Sequence, residues 1–261
     1  MAVRNTFEEL TDNMNPLLIV TTSHGSVGPA CRRTGVWLEE FVGVYCRFVE
    51  HGIPVVVASP RGGEVPLEPE SLRVSAMSPE ARRFIARRDP ALSRTLALRS
   101  ICHHDFDAIF YPGGTGPMWD LAEDLINARI LGSFFDCGKV VGALCHGTAA
   151  LLKARRRDGN PVIHNRRLTG CSDAEELHNG TRGLVPFSLE QRLRAAGGKY
   201  SRRDPWTRYV VIDRNLVTGQ NPQSTKHVAE AMLELMRPAQ LMCRRTAWSP
   251  GGIGECRSSA D

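Results

Sequence analysis

No stretch of this 261-residue chain is long and apolar enough to cross a bilayer as a helix, so no membrane partner is expected. The first fifteen residues carry Glu8, Glu9 and Asp12 and lack an apolar core. They are therefore expected to form an N-terminal extension, residues 1–15, and not a secretory leader. The eight cysteines include no C-x-x-C pair, which removes the usual zinc-module and dithiol signatures. In a reducing, cytoplasmic setting most are expected to be small buried hydrophobes, and no metal is expected. Positive charge is not gathered in one place either. The net charge is +5, but arginine is scattered, in only short clusters such as Arg32–Arg33, Arg155–Arg157 and Arg202–Arg203. A nucleic-acid binder concentrates such charge on one face, so a solvated basic surface and no nucleic-acid partner are expected. Internal repeats and domain linkers are also missing.

What is present is an ordinary globular composition, 42% hydrophobic and 23% charged, in a chain long enough to bury a core. Leu17–Val20 reads as a buried strand. Val36, Leu38, Phe41, Val44, Tyr45 and Phe48 then recur at helical spacing, which predicts a helix over 34–50. Strands are predicted at 53–58, 107–111 and 140–144, and helices at 78–98, 124–137 and 148–155. Gly138 is the expected C-cap of the second of these helices. Further on, the pattern predicts a helix over 186–197, a hairpin around Asp213-Arg214-Asn215 and a last helix over 224–236. Strands alternating with helices imply an α/β fold, a mostly parallel sheet with helices on both faces. One domain over 16–237 is expected, followed by a disordered tail, 238–261, whose Cys243 and Cys256 would be exposed thiols.

Three segments carry chemistry. In Val140 to Ala150 a buried strand runs directly into Cys145-His146-Gly147 and then into a predicted helix. A lone cysteine ending a core strand is ordinarily a packing residue. Joined to this strand–turn–helix pattern, it predicts a nucleophile elbow with Cys145 exposed to a cleft above the sheet. The helix N-terminus beyond it is expected to depress the thiol pKa, and nearby backbone N–H groups to face an oxyanion. The second segment, Tyr111 to Asp120, places Gly113, Gly114 and Gly116 after a strand. The Gly114 N–H is a candidate for the other half of an oxyanion hole, although such loops are more often plain turns. The third segment, Thr34 to Phe41, sets Glu40 in a 36, 40, 44 row with two valines. A helical glutamate is ordinarily solvated, but this placement suggests a partly buried carboxyl that could carry a proton.

Together these segments resemble the glyoxalase III and heat-shock chaperone branch of the class I glutamine-amidotransferase-like (PfpI-type) superfamily. That branch shows T-G-x-x-x-x-E, P-G-G-H-G-x-x-x-D, A-x-C-H-G-P, T-G-(F/Y/C)-(S/T)-x-x-E-E and L-x-T-G-x-N-P-x-S. The chain has Thr34-Gly35 with Glu40, Pro112-Gly113-Gly114, Ala143 to Gly147, Thr169-Gly170-Cys171-Ser172 with Glu175-Glu176, and Leu216 to Ser224. The resemblance covers roughly residues 16–236. It implies a flavodoxin-like fold with a small extra subdomain, a homodimer, and conversion of methylglyoxal, a small 2-oxoaldehyde, to D-lactate without a cofactor. Cys145 would be the nucleophile and His146 its neighbouring histidine. Glu40 would be the glutamate beside the cysteine, and Glu176 the acid that orients the histidine.

The chain departs from the pattern at two positions. Thr115 replaces the loop histidine beside Gly114, which bears on substrate preference, and Thr148 replaces the proline after Cys-His-Gly, where it can cap a helix. A stress holdase chaperone, a protein deglycase, a cysteine-based redox sensor and a peptidase or amidase are the competing readings.

Overall fold

The computed structural model describes residues 14–28 and 32–237. The expected tail, 238–261, and all but two residues of the expected N-terminal extension lie outside the described residues.

Runs of branched and aromatic residues with no polar interruption can satisfy their backbone only by pairing on both sides, and they form the centre of the sheet. These are β1 (Leu17–Val20), β4 (Val55–Ser59), β6 (Ala108–Tyr111) and β7 (Val140–Leu144). Four short strands lie between and beyond them: β2 (Ser26–Val27), β3 (Arg32–Arg33), β5 (Leu96–Ala97) and β8 (Arg167–Leu168). The last strands are β9 (Lys199–Tyr200), β10 (Val210–Asp213) and β11 (Leu216–Gly219). The main sheet has seven strands in the order β10-β11-β7-β6-β1-β4-β5. Every pairing in it is parallel except the β10–β11 hairpin, which turns at Arg214 with φ 55°.

Amphipathic helices cover both faces, as expected. They are α1 (Leu38–Glu50), α2 (Pro79–Ala86), α3 (Leu125–Asp136), α4 (Asp173–His178), α5 (Leu189–Ala195) and α6 (Thr225–Met236). Helix α1 packs on α6, which lies on β7 and β11, while α3 packs on β6 and β7. Gly142 in β7 lets α6 approach, since a Cβ there would run into Met232. On the α3 side, the Tyr111 hydroxyl donates to Asn127 Oδ1 at 2.7 Å, and Asn127 Nδ2 donates to the Ala150 carbonyl at 3.0 Å. These buried bonds tie strand, helix and the segment after the elbow into one block. The small extra subdomain takes the form of additions around the sheet, namely the β2–β3 hairpin and the parallel β8–β9 pair.

Several predicted helices are shorter than their hydrophobic pattern. Helix α1 starts at Leu38, not at 34, because Val36 is held as a strand-like bridge. Its N–H donates to the Pro66 carbonyl at 2.8 Å, and its carbonyl accepts from the Glu68 N–H at 2.9 Å. The helix predicted over 78–98 ends at Ala86. Asp89-Pro90 interrupts it because the residue before proline is driven out of helical geometry, and Leu96–Ala97 then joins the sheet edge as β5. The helix predicted over 148–155 is a 3-10 helix over Cys145–Leu151. The Thr148 hydroxyl does not cap an α-helix. It donates to the Cys145 carbonyl three residues back, at 2.9 Å.

Tyr111→Phe removes the donor to a buried amide oxygen. It is expected to lower stability by about 1–3 kcal/mol, read as a reduced denaturant midpoint at unchanged m-value.

Candidate active site

The elbow is where the sheet meets the chemistry. β7 ends at Leu144, and Cys145 takes a left-handed backbone conformation, φ 53°, which a side-chain-bearing residue adopts only under constraint. The constraint comes from its neighbours. Gly147 lies so close to the Tyr111 and Pro112 carbonyls that a Cβ would overlap them. The Cys145 carbonyl also accepts from the Cys171 N–H at 3.3 Å. The result sends the Cys145 side chain into a cavity of about 450 Å3 that His146, Gly114, Thr115, Glu68 and Cys171 also line.

Of the residues singled out in the sequence, Cys145, His146, Gly114 and Thr115 line this cavity, while Glu40 and Glu176 are buried behind it. His146 Nδ1 lies 3.4 Å from Cys145 Sγ. Its Nε2 hydrogen-bonds Glu176 Oε1, so with the carboxylate accepting, the proton on that side belongs to Nε2. Glu176 also accepts from the Thr181 hydroxyl. Burial alone would raise the Glu176 carboxyl, but the His146 charge and these hydrogen bonds outweigh it, and the net shift is downward.

Glu40 lies in the first turn of α1, fully buried. Its Oε2 accepts the Gly113 N–H at 2.7 Å, and its Oε1 has no hydrogen-bond partner among the described residues. Burial raises its pKa from 4.5 to about 7, against the opposing pull of the Gly113 N–H, the His146 charge and the Cys145 thiol. The Gly113–Gly114 loop fits only glycine. A Cβ on Gly113 would collide with Cys145 and Glu40, and Gly114 has φ 92° with its α-carbon against the Gly35 carbonyl. Among the described residues the Gly114 N–H has no acceptor, and Gly114 lines the cavity wall.

One expectation is reversed. Cys145 does not have the depressed thiol pKa of a cysteine at a helix N-terminus; its pKa is raised well above the usual 9.0. The hydrogen bond with Cys171 contributes most, followed by burial and the neighbouring Glu40, with His146 opposing. No α-helix begins here to supply a dipole. His146 is in turn raised well above 6.5: burial pulls it down, but Cys145 and Glu176 pull it up by more. Read together, the two shifts mean that the Cys145–His146 pair keeps its proton against loss to solvent. A thiolate can form by passing that proton to Nδ1 inside the pair.

Sequence reasoning missed three features. Cys171 was assigned to packing but stands beside Cys145. Cys145, His146 and Cys171 offer donor atoms within 4.8 Å of one another, so they could hold a metal ion. Glu68, in a Gly- and Pro-rich loop with no periodic signal, is buried and accepts from the Thr34 hydroxyl at 2.7 Å and the Thr115 hydroxyl at 3.3 Å. Thr115 is thus committed to the wall by Thr34 and Glu68. The adjacent Glu175 also borders the cavity but does not bond His146; the Asn221 and Gln220 amides donate to it at 2.9 and 3.0 Å. That contact accounts for Asn221 in the Leu216–Ser224 motif.

A sequence profile of the DJ-1/PfpI family matches residues 32–235. Glutamine amidotransferase-like class 1 domain-containing protein 1 of Xenopus laevis is 34% identical over 143 residues, 55% of this chain. The match spans 62% of that relative's length. The glutathione-independent glyoxalase hsp3102 of Schizosaccharomyces pombe is 27% identical over 236 residues, covering 85% of this chain and 97% of that one. Among solved structures, Rapid Encystment Protein 24 kDa of Francisella tularensis superposes with a TM-score of 0.82 at 34% identity, over 86% of this chain and all of that one.

The raised Glu40 pKa has a consequence for stability. The folded protein holds this proton more tightly than the unfolded chain, so the stabilisation is complete below about pH 4.5 and is lost as pH rises through about 7. The rise from 4.5 to about 7 corresponds to roughly 3 kcal/mol. Between pH 4.5 and 8 the wild type is expected to lose about that much more unfolding free energy than Glu40→Gln, measured by denaturant titration at each pH. Parallel profiles for the two proteins would refute a buried, protonated Glu40.

Proposed function

Because the chain belongs to the DJ-1/PfpI family, we propose that it is a glutathione-independent glyoxalase that converts methylglyoxal to D-lactate through a hemithioacetal on Cys145. A buried nucleophile with a histidine would serve a peptidase or a redox sensor equally well. The observation that favours the glyoxalase is Glu40, a fully buried carboxyl beside Cys145 with a pKa of about 7. An internal redox rearrangement of a 2-oxoaldehyde needs a group that can both take and return a proton near neutral pH, without water in the way. The name of the yeast relative that aligns along nearly its whole length points the same way.

In this reading Cys145 Sγ adds to the aldehyde carbon as its proton passes to His146 Nδ1, and Glu176 stabilises the imidazolium. The Gly114 N–H donates to the resulting oxyanion. Glu40 then moves a proton from the first carbon to the second through an enediol, leaving a thioester of the 2-hydroxy acid. Water cleaves the thioester and frees Cys145. The carbonyl carbon of the aldehyde is oxidised as the adjacent ketone is reduced, so no external oxidant or reductant enters. Thr115, held by Thr34 and Glu68, shapes the wall opposite the reacting carbons and bears on substrate preference.

The test follows loss of methylglyoxal and appearance of D-lactate in the absence of glutathione. Cys145→Ala is expected to lower kcat by at least roughly a thousandfold. Glu40→Gln should lower kcat by about a hundredfold with little change in KM, as befits loss of proton transfer. A wild-type protein that consumes no dicarbonyl would sink this assignment.

A further inference from the structure

The mechanism above makes no use of Cys171, yet this thiol is fixed at the catalytic centre. It is buried, its backbone N–H is bonded to the Cys145 carbonyl, and its sulfur lies within 4.8 Å of the Cys145 sulfur and the His146 donor nitrogen. Two sulfurs and an imidazole nitrogen, from the elbow and from a segment about 25 residues further on, therefore lie around one point. We propose that Cys145, Cys171 and His146 form a binding site for a thiophilic divalent cation of the zinc class, and that occupancy silences Cys145 as a nucleophile.

The donor set is the first argument. Two thiolates and a neutral imidazole are a soft, borderline set that suits zinc and its analogues and not magnesium or calcium. Geometry is the second. With Zn–S near 2.3 Å and Zn–N near 2.0–2.1 Å, a tetrahedral ion separates its sulfur and nitrogen ligands by about 3.5 Å. The Cys145 Sγ to His146 Nδ1 separation is 3.4 Å, and all three donors lie within 4.8 Å of one another. The third argument is the shell behind the donors. A metal-bound histidine characteristically donates its other ring N–H to a carboxylate, which fixes the ring and the tautomer. Glu176 already fills that role at His146 Nε2, leaving Nδ1 toward the sulfurs.

Charge and space complete the case. The buried Glu40 carboxyl, with Oε1 unpartnered, sits against Cys145 and would offset the charge of an added cation. All three donor residues line the cavity, which could supply a water as fourth ligand. Binding replaces the two thiol protons with the ion, with no redox change. The inference does not depend on which electrophile Cys145 attacks, because it concerns only the donors at rest.

The experiment titrates the full, metal-stripped chain with Co2+ as a spectroscopic stand-in and follows the thiolate-to-cobalt charge-transfer band. One equivalent per chain is expected to generate the band. Cys145→Ser and Cys171→Ser should abolish it. Cys102→Ser and Cys137→Ser, exposed thiols outside the cluster, should retain it. Glu176→Gln should weaken binding by about ten- to a hundredfold. Zn2+ should in addition slow iodoacetamide alkylation of Cys145 in the wild type, read on the Cys145 peptide by mass spectrometry. That readout needs no variant to fold and no turnover. A band that survives Cys171→Ser, no band at one equivalent, or alkylation of Cys145 that ignores Zn2+ would each overturn the proposal.

Discussion

The site depends on a single strained residue. Cys145 is held in the left-handed region at the end of the buried strand β7, a conformation that costs an isolated side-chain-bearing residue about 1–3 kcal/mol. The packed core supplies the compensation. Val140 to Leu144 are buried and paired on both sides, and Gly147 presses against the carbonyls that end β6. A relaxed turn would direct the chain along the sheet. The strained one stands the sulfur up over the strand ends, at the crevice where the carboxyl ends of parallel strands meet their loops.

Around that sulfur the protein has buried several ionisable groups, and each is stabilised in a different way. His146 and Glu176 form a pair, with Thr181 taking part of the carboxylate. Glu175 is satisfied by amides from the Gln220–Asn221 turn. Glu40 has one oxygen on the Gly113 N–H and the other unpartnered, and it compensates by holding a proton up to about pH 7. The unpartnered oxygen is a cost to folding that a purely structural carboxyl would not carry.

The fold was largely legible because long buried strands and amphipathic helices have different periods. β1, β6, β7 and the β10–β11 hairpin fall where the apolar pattern puts them, and α3 and α6 agree closely with their predicted ranges. Errors fell where local pattern and tertiary pairing compete. Thr34–Trp37 has helical spacing but is drawn into a bridge with the Pro66–Glu68 segment. Residues beyond Ala86 keep apolar spacing, yet Pro90 and the open sheet edge decide their conformation. The segment after Cys145 has the composition of an α-helix, but the left-handed start and the Thr148 back-bond tighten it to a 3-10 turn.

By itself the sequence determined the order of strands and helices, the position of the elbow, and the candidates Cys145, His146, Glu40, Gly114, Thr115 and Glu176. Cys145, Glu40 and Gly114 follow from periodicity and from residue types at fixed local spacing, which act over a few residues; His146, Thr115 and Glu176 were singled out by the resemblance to the family pattern. The tertiary structure alone decided that Cys171 stands beside Cys145 and that Glu68 stands behind Thr115. It also decided that Cys171, together with burial, raises the Cys145 thiol where a helix dipole was expected to lower it. These outcomes depend on contacts between residues far apart in the chain and on exclusion of water from the whole cluster, and neither quantity is written in local spacing.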